Sequence, residues 1–334
     1  MTTRERLFDV TKAFDHPVTV GVCIAIVAGL LFASVMIRVL HHRRSVDETT
    51  FRELITRTRS WYVLATLLVV PILLGAAWVI GTLCFLSLLC YREYARATGL
   101  FRWPMMSSAV VVTILMVYFA VIDHWPGFFT AAWPLAVCLI SLTALLADQP
   151  KGFIQRVGLS VFGFALLGAS LGHLAYLAND ALFRPMLLWL LLTVELNDVF
   201  AYIAGKKFGR QKLAPNTSPN KTIGGAVGAL MLTTILVSVI GHFVFQKTTL
   251  DHPAHLLVLG MTISVMGQCG DLVLSSIKRD LGIKDMAATI PGHGGFLDRF
   301  DSLLLVAPAV FHYVNYFKAG GVGLDQATRI ISGV

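Results

Sequence analysis

The chain has 334 residues, 56% of them hydrophobic and only 14% charged. Soluble domains carry about 25% charge, so this composition excludes an ordinary soluble protein. Repeated uncharged runs of spanning length instead indicate an all-α polytopic integral membrane protein with no soluble domain. A formal net charge of +8 is better accounted for by loop Lys and Arg facing anionic lipid than by a nucleic-acid partner.

The first sixteen residues are polar and of mixed charge, and no small-residue cleavage pattern follows the first apolar run, so no cleavable signal peptide is expected. Apolar segments then follow at 18–40, 61–91, 105–122, 128–147, 157–178, 185–204, 223–245, 254–275 and 302–317. The stretch 61–91 has no charged residue; as one helix it would measure about 46 Å, against a hydrocarbon core of about 30 Å. Loop charge decides between one tilted span and two short ones. Basic clusters occur at 41–45 through 57–59, 91–102, 151–156, 205–212 and 276–285, whereas 123–129, 177–185 and 246–255 are nearly neutral or acidic. A hairpin breaking near Gly75 puts every basic loop on one side. About ten transmembrane helices are therefore expected (nine if 61–91 is one span), with both termini on the non-cytosolic side. The mixed-charge segment 46–60 is expected as a solvated connector, although it also permits an interfacial helix. The five cysteines form no CxxC pair, which speaks against a zinc site or a disulfide framework.

Acids within apolar helices are costly and mark candidate functional sites. Glu195 and Asp198, three residues apart, share one helical face. Asp271 follows Gly267 and Gly270, which would let another backbone approach. Asp298 and Asp301 form a second such pair at the start of the final span. Lys221, Lys278, Arg279, Lys284 and Arg299 lie close by in sequence. Carboxylates suit magnesium, which keeps waters and binds substrate phosphates, and the bases suit phosphate. Together they suggest phosphoryl or nucleotidyl transfer. In PGHGG, Gly294 and Gly295 would let backbone N–H groups approach an anion at the following helix N-terminus. His293 would bind phosphate, shuttle a proton or make a structural hydrogen bond.

The run SIKRDLGIKDMAATIPGHGGFLDRFD (276–301) resembles the signature of the phosphatidate cytidylyltransferases, with Ser276, Lys278, Arg279, Lys284, Asp285, His293, Gly294, Gly295, Asp298, Arg299 and Asp301 in register. Upstream, NDVFAYIAGKKFGRQKLAPNTSPNKT (197–222) is similar to the family's Asp–Ala–Tyr–Gly segment and Ser-Pro-x-Lys-Thr loop, and YREYARATG is similar to an element following an early helix pair. The resemblance covers 185–317 well and the first 150 residues only in general terms. It divides the chain into N-terminal transmembrane helices, 1–150, and a catalytic region, 151–334, with its site at 195–225 and 267–301.

The resemblance implies transfer of CMP from CTP to phosphatidic acid in a bacterial cytoplasmic membrane, with the site facing the cytosol. Mg²⁺ is the implied cofactor, K⁺ and a homodimer being left open, and no nucleic acid is involved. By similarity Asp271 and Asp298 would hold metal. Asp198, Ser218, Asn220, Lys221, Thr222, Gly294 and Gly295 would face the nucleotide and its phosphates. Lys278, Arg279, Lys284, Asp285, His293, Arg299 and Asp301 would serve catalysis. One departure stands out: where the family usually has Glu after the Ser-Pro-x-Lys-Thr loop, this chain has Gly224. Either Glu195 substitutes for it or activity is altered, leaving open a paralogue acting on another lipid phosphate or a CTP-dependent lipid kinase. A transporter or scaffold is the remaining alternative; it would be expected to show inverted repeats, and no second copy of the acid-rich pattern occurs.

Overall fold

A computed structural model describes residues 3–292 and 294–333; His293 lies outside the described residues. A short helix, α1 (Thr3–Phe8), precedes α2 (Pro17–His42), which starts with Pro17 in its first turn, where the missing N–H costs nothing, and with the His16 ring accepting from the Val18 amide. Next come α3 (Glu48–Leu74), α4 (Ala76–Ala97), α5 (Pro104–Ile122) and α6 (Pro126–Leu146). The following span is α7 (Phe153–Gly163), a π turn (Phe164–Ala169) and α8 (Ser170–Tyr176). Then come α9 (Phe183–Phe208), an antiparallel hairpin of β1 (Lys212–Ala214) and β2 (Ser218–Thr222), α10 (Ile223–Val244), α11 (Pro253–Asp280), α12 (Leu297–Phe300) and α13 (Leu303–Phe317). Among the described residues nine helices are long and apolar enough to cross a membrane, α7 through α8 counting as one, and α13 is a shorter apolar helix.

The expected hairpin within 61–91 is present. Gly75 breaks the chain between α3 and α4 at φ 134°, a conformation L side chains rarely adopt. A side chain there would also meet the Leu7 carbonyl, 2.5 Å from an added Cβ. Residues 46–60, in contrast, are not a connector: α3 already begins at Glu48. Asp47 caps it by accepting from the Thr50 amide, and the i,i+4 pairs Glu48–Arg52 and Glu53–Arg57 support its first turns.

Long-range contacts sort the loops into two ends. At one end Ser60 donates to the Pro291 carbonyl at 2.8 Å, and Arg279 donates to the Thr217 carbonyl. At the other, Arg6 donates to Asn179, Lys318 pairs with Asp180, and the His124 ring meets the Gly323 carbonyl. There too Asp123 accepts from the amides of Ile331 and Ser332. Both terminal segments thus pack at the end that carries the neutral turns, opposite the basic loops, as ten passes require.

Close approach of backbones shapes the bundle. Added Cβ atoms at Gly163, Gly168 and Gly172 would lie 2.5–2.8 Å from Tyr94, Ile114 and Val117, so α4 and α5 sit directly on this span. A polar seam joins α9, α10 and α11 inside the bundle: Asn197 accepts from Thr233 at 2.9 Å and from Ser264 at 2.7 Å, and Gln268 donates to Ser264.

Candidate active site

The ends of α9, α10 and α11 on the basic side meet around glycines. Gly225 and Gly228 of α10 would bring a Cβ within 2.7 Å of the Ala201 carbonyl and 2.3 Å of the Ala204 side chain, so the two helices touch along their backbones. Thr222 ends β2 and caps α10, its hydroxyl accepting from the Gly225 amide at 3.1 Å. This cap turns the hairpin over the end of α9 and aims Asn220 and Lys221 inward. On α11, Gly270 does what its position suggested, whereas Gly267 faces only side chains, the Asn197 side-chain amide nearest at 3.3 Å from an added Cβ. Gly270 lies against the Asp301 carbonyl, 2.5 Å from an added Cβ, which brings Asp271 beside the start of α13.

The result is a cavity of about 730 Å³ bordered by Glu195, Asp198, Asp271, Asp298 and Asp301, by Lys206, Lys212, Lys221, Lys278 and Arg299, and by Trp61, Val194 and Leu303. Lys221 Nζ lies 2.6 Å from Asp271 Oδ2, and the other Asp271 oxygen accepts from Ser275 at 3.2 Å. Asp198 accepts from the Ser302 hydroxyl at 3.2 Å. Burial, together with Asp271 and Asp198 beside it, raises the Asp301 carboxyl above the ordinary carboxylate range. The Arg299 Nε is buried and has no partner among the described residues.

Asp298 is engaged differently. Its side chain is 1% exposed and pairs with Lys278 at 2.9 Å, while its second oxygen accepts from the amides of Met286 and Gly295, both at 2.9 Å. Glu93 of α4 answers the same loop, accepting from Thr289 Oγ1 at 2.7 Å, the Phe296 amide at 3.1 Å and the Leu297 amide at 2.9 Å. These two carboxylates occupy the described amides around PGHGG that were expected to meet a phosphate. Gly294 packs on Asp298 and Asp285 at φ 82°, a conformation L side chains rarely adopt, and Gly295 lies too close to Glu93 for a side chain; neither glycine borders the cavity. The anion that the loop and its helix N-terminus meet belongs to the chain itself.

Of the remaining sequence-predicted residues, Asn220 and Thr222 border the cavity. Ser218, Arg279, Lys284 and Asp285 do not: Arg279 donates to the carbonyls of Thr217 and Ile283, while Lys284 and Asp285 are exposed. Sequence reasoning missed Lys206, Lys212 and Gln268, which border the cavity, and Glu93, which braces its loop. Lys206 and Lys212 were readable only as part of a basic loop cluster; Lys206 Nζ lies 4.6 Å over the Tyr202 ring.

Gly224 has a packing reason. An added Cβ would lie 2.5 Å from the Phe208 carbonyl and 3.2 Å from the Gly209 amide, so a Glu does not fit here without moving α10. Nor does Glu195 stand in for it: position 224 packs on Phe208, about 20 Å along α9 from residue 195. Gly224→Ala is expected to cost about 1–3 kcal/mol and Gly224→Glu at least as much, read as a lower Tm in detergent. An unchanged Tm for both would show that the helix pair yields easily.

The cytidylyltransferase family matches residues 55–317, reaching well into the N-terminal half. An Escherichia coli (strain K12) protein named "Uncharacterized protein YnbB" is 32% identical over 298 residues, covering 86% of this chain and 95% of the relative. A phosphatidate cytidylyltransferase of Staphylococcus haemolyticus is 32% identical over 249 residues, covering 74% of this chain and 94% of the relative. Another, from Bacillus subtilis, is 32% identical over 187 residues, covering 55% and 68%.

Proposed function

Since the chain belongs to the cytidylyltransferase family, we propose that it transfers CMP from CTP to phosphatidic acid, giving CDP-diacylglycerol and pyrophosphate. The observation that carries this reading is one cavity at the basic end of the bundle where Lys221, Lys278 and Arg299 share walls with Asp198, Asp271 and Asp301. Relatives named phosphatidate cytidylyltransferase, matched over nearly their full length, support it.

The reaction asks little proton chemistry of the protein. A phosphate oxygen of the lipid bonds to the α-phosphorus of CTP as the bond to the β-phosphate oxygen breaks, and pyrophosphate carries the electron pair away. Orientation and charge neutralisation then supply the catalysis. Lys221, on its β-hairpin, and Lys206 and Lys212 near the mouth suit the triphosphate. Arg299, with its unpartnered Nε, and Lys278 suit the lipid phosphate. No proton has to move from a side chain to either phosphate.

The donor set fits a hard cation. Asp198, Asp271 and Asp301 crowd one water-accessible wall, and their mutual repulsion is what raises Asp301 beyond the effect of burial. Among the described residues no group of three such side chains is placed to hold a metal ion; magnesium keeps its waters and takes one or two carboxylates. Asp271 and Asp301 would hold it, with Asp198 adjacent; Asp298, committed to Lys278 and two amides, would position the loop rather than ligate. Bound there, magnesium would neutralise charge on the phosphates.

The basic loops at this end support a cytosolic site by the positive-inside rule, in the inner membrane of a bacterium. The test is turnover by detergent-purified protein given labelled CTP, phosphatidic acid and Mg²⁺. CDP-diacylglycerol and pyrophosphate are expected in equal amounts. Protein that binds CTP and Mg²⁺ yet makes no CDP-diacylglycerol would overturn the reading. In the same assay Lys221→Ala is expected to raise the KM for CTP about tenfold or more, the loss of one charge-assisted contact. A change confined to the lipid KM would move the hairpin to the lipid side.

A further inference from the structure

The basic end of the bundle holds a second cavity, of about 220 Å³, that shares no residue with the catalytic one. The segment 98–103 after α4 supplies one wall, Trp103 included, and Lys151, Gln155 and Arg156 at the start of α7 supply the other. Its charge has one sign: Lys151 and Arg156 border it, and no Asp or Glu does. Asp148, in the loop before α7, is exposed and lies outside the cavity.

Arg156 is only 7% exposed. Its Nη1 donates to the Lys151 carbonyl at 2.7 Å, its Nη2 donates to the Gln149 carbonyl, and the guanidinium lies 4.4 Å over the Trp103 ring. These contacts orient the group without neutralising it. Among the described residues its Nε has no partner, and no carboxylate pairs with Arg156 or Lys151. Arginine stays ionised, so a nearly buried charge stands here without a counter-charge, which is costly. The helix start adds to the same sign. Gly152, at φ 72°, gives α7 no side-chain cap, and among the described residues the Ile154 and Gln155 amides meet no backbone carbonyl. Free amides at the head of a helix favour phosphate.

The surroundings say which phosphate. Leu145 and Leu146 end α6 and Ile154 opens α7; all three are largely exposed, Ile154 by 86%. Apolar side chains on both sides of the loop suit acyl chains, and Phe101 and Trp103 suit the level where aromatic residues meet lipid headgroups. We infer that this cavity binds the phosphate of an anionic membrane phospholipid, seated on Lys151, Arg156 and the free amides of α7. With no acid to meet an ammonium group, a lipid of net negative charge is preferred to a zwitterionic one. Ordinary small-molecule sites measure about 300–1,000 Å³, so this one has room for a headgroup and not for a nucleotide.

The experiment follows the Tm of the full chain in neutral detergent while phosphatidylglycerol, phosphatidylcholine or inorganic phosphate is added, since a ligand of the folded state raises the Tm as it binds. Phosphatidylglycerol is expected to stabilise most, and inorganic phosphate at the same concentration least. Lys151→Glu is expected to raise the phosphatidylglycerol concentration giving half the shift at least about tenfold, the loss of one charge-assisted contact. Lys151 is exposed, and a carboxylate suits a helix start, so this variant should fold as well as the wild type. Arg156→Gln is the weaker test, because it also releases the two loop carbonyls. Arg43→Glu makes the same change of charge in the exposed loop after α2 and should leave the half-point unmoved. Lipid held in the catalytic cavity would be indifferent to both variants.

An equal response of Lys151→Glu and Arg43→Glu would reduce the effect to the general positive charge of this end and overturn the inference. So would a half-point that Lys151→Glu leaves unchanged, or equal stabilisation by phosphatidylcholine. Equal stabilisation by inorganic phosphate would overturn the lipid as its source. None of these measurements uses CTP or phosphatidic acid, so their outcome is separate from that of the transfer reading.

Discussion

Asp271→Asn is expected to lower kcat/KM for cytidylyl transfer by about a thousandfold or more, with the protein still folded and membrane-inserted. The substitution keeps the size of the side chain and removes one charge from the wall shared with Asp198 and Asp301. A cation held by these carboxylates would contribute several kcal/mol of transition-state stabilisation by neutralising phosphate charge, and about 4 kcal/mol corresponds to three factors of ten. The structural cost should be small. Lys221, the partner of Asp271, is one-fifth exposed in the cavity and retains the Gln268 carbonyl at 3.4 Å. Water can reach it when the charge opposite is lost. The measurements are turnover and Tm on one preparation, plus the Mg²⁺ concentration giving half-maximal rate, which should rise. Near-normal turnover would remove Asp271 from the cation site.

Much of this arrangement was legible before any coordinates, for identifiable reasons. Loop charge is a long-range signal written in local composition, so the break at Gly75 and the packing of both terminal segments at the neutral end could be read directly. Helical spacing put Glu195 and Asp198 on one face, and Gly270 marked the approach of another backbone. The solvated reading of 46–60 failed because polar composition outweighed the capping Asp47 and two i,i+4 ion pairs, signals that were present. The partners of the loop at 290–301 were not legible, for a deeper reason. Three glycines and a helix start announce an anion without saying whose, and the answer, Glu93, lies 203 residues before Phe296. A single sequence does not reveal such a pairing. The acid was visible within YREYARATG but had no local reason to be singled out.

Asp298→Asn should behave unlike Asp271→Asn even though the two aspartates share one signature, because their surroundings differ. Asp298 satisfies three donors at once: Lys278 Nζ and the amides of Met286 and Gly295. An asparagine offers one acceptor oxygen and turns a donating NH₂ toward a donor. Lys278, with its side chain 11% exposed, would be left nearly buried without a counter-charge. Breaking such a pair costs about 3–5 kcal/mol, so a markedly lower Tm should accompany the loss of turnover. Adding Lys278→Met removes the stranded charge. The double variant should therefore recover part of the lost stability, with a coupling of about 1–3 kcal/mol, yet remain inactive because Lys278 borders the cavity. Loss of turnover at unchanged Tm in Asp298→Asn would contradict this and return Asp298 to the metal-binding role its place in the signature implied. Loss of both, with recovery of stability alone in the double variant, would mean that the signature joins two functions three residues apart: Asp298 fixes the loop, and Asp301, on the next turn, faces the reacting phosphates.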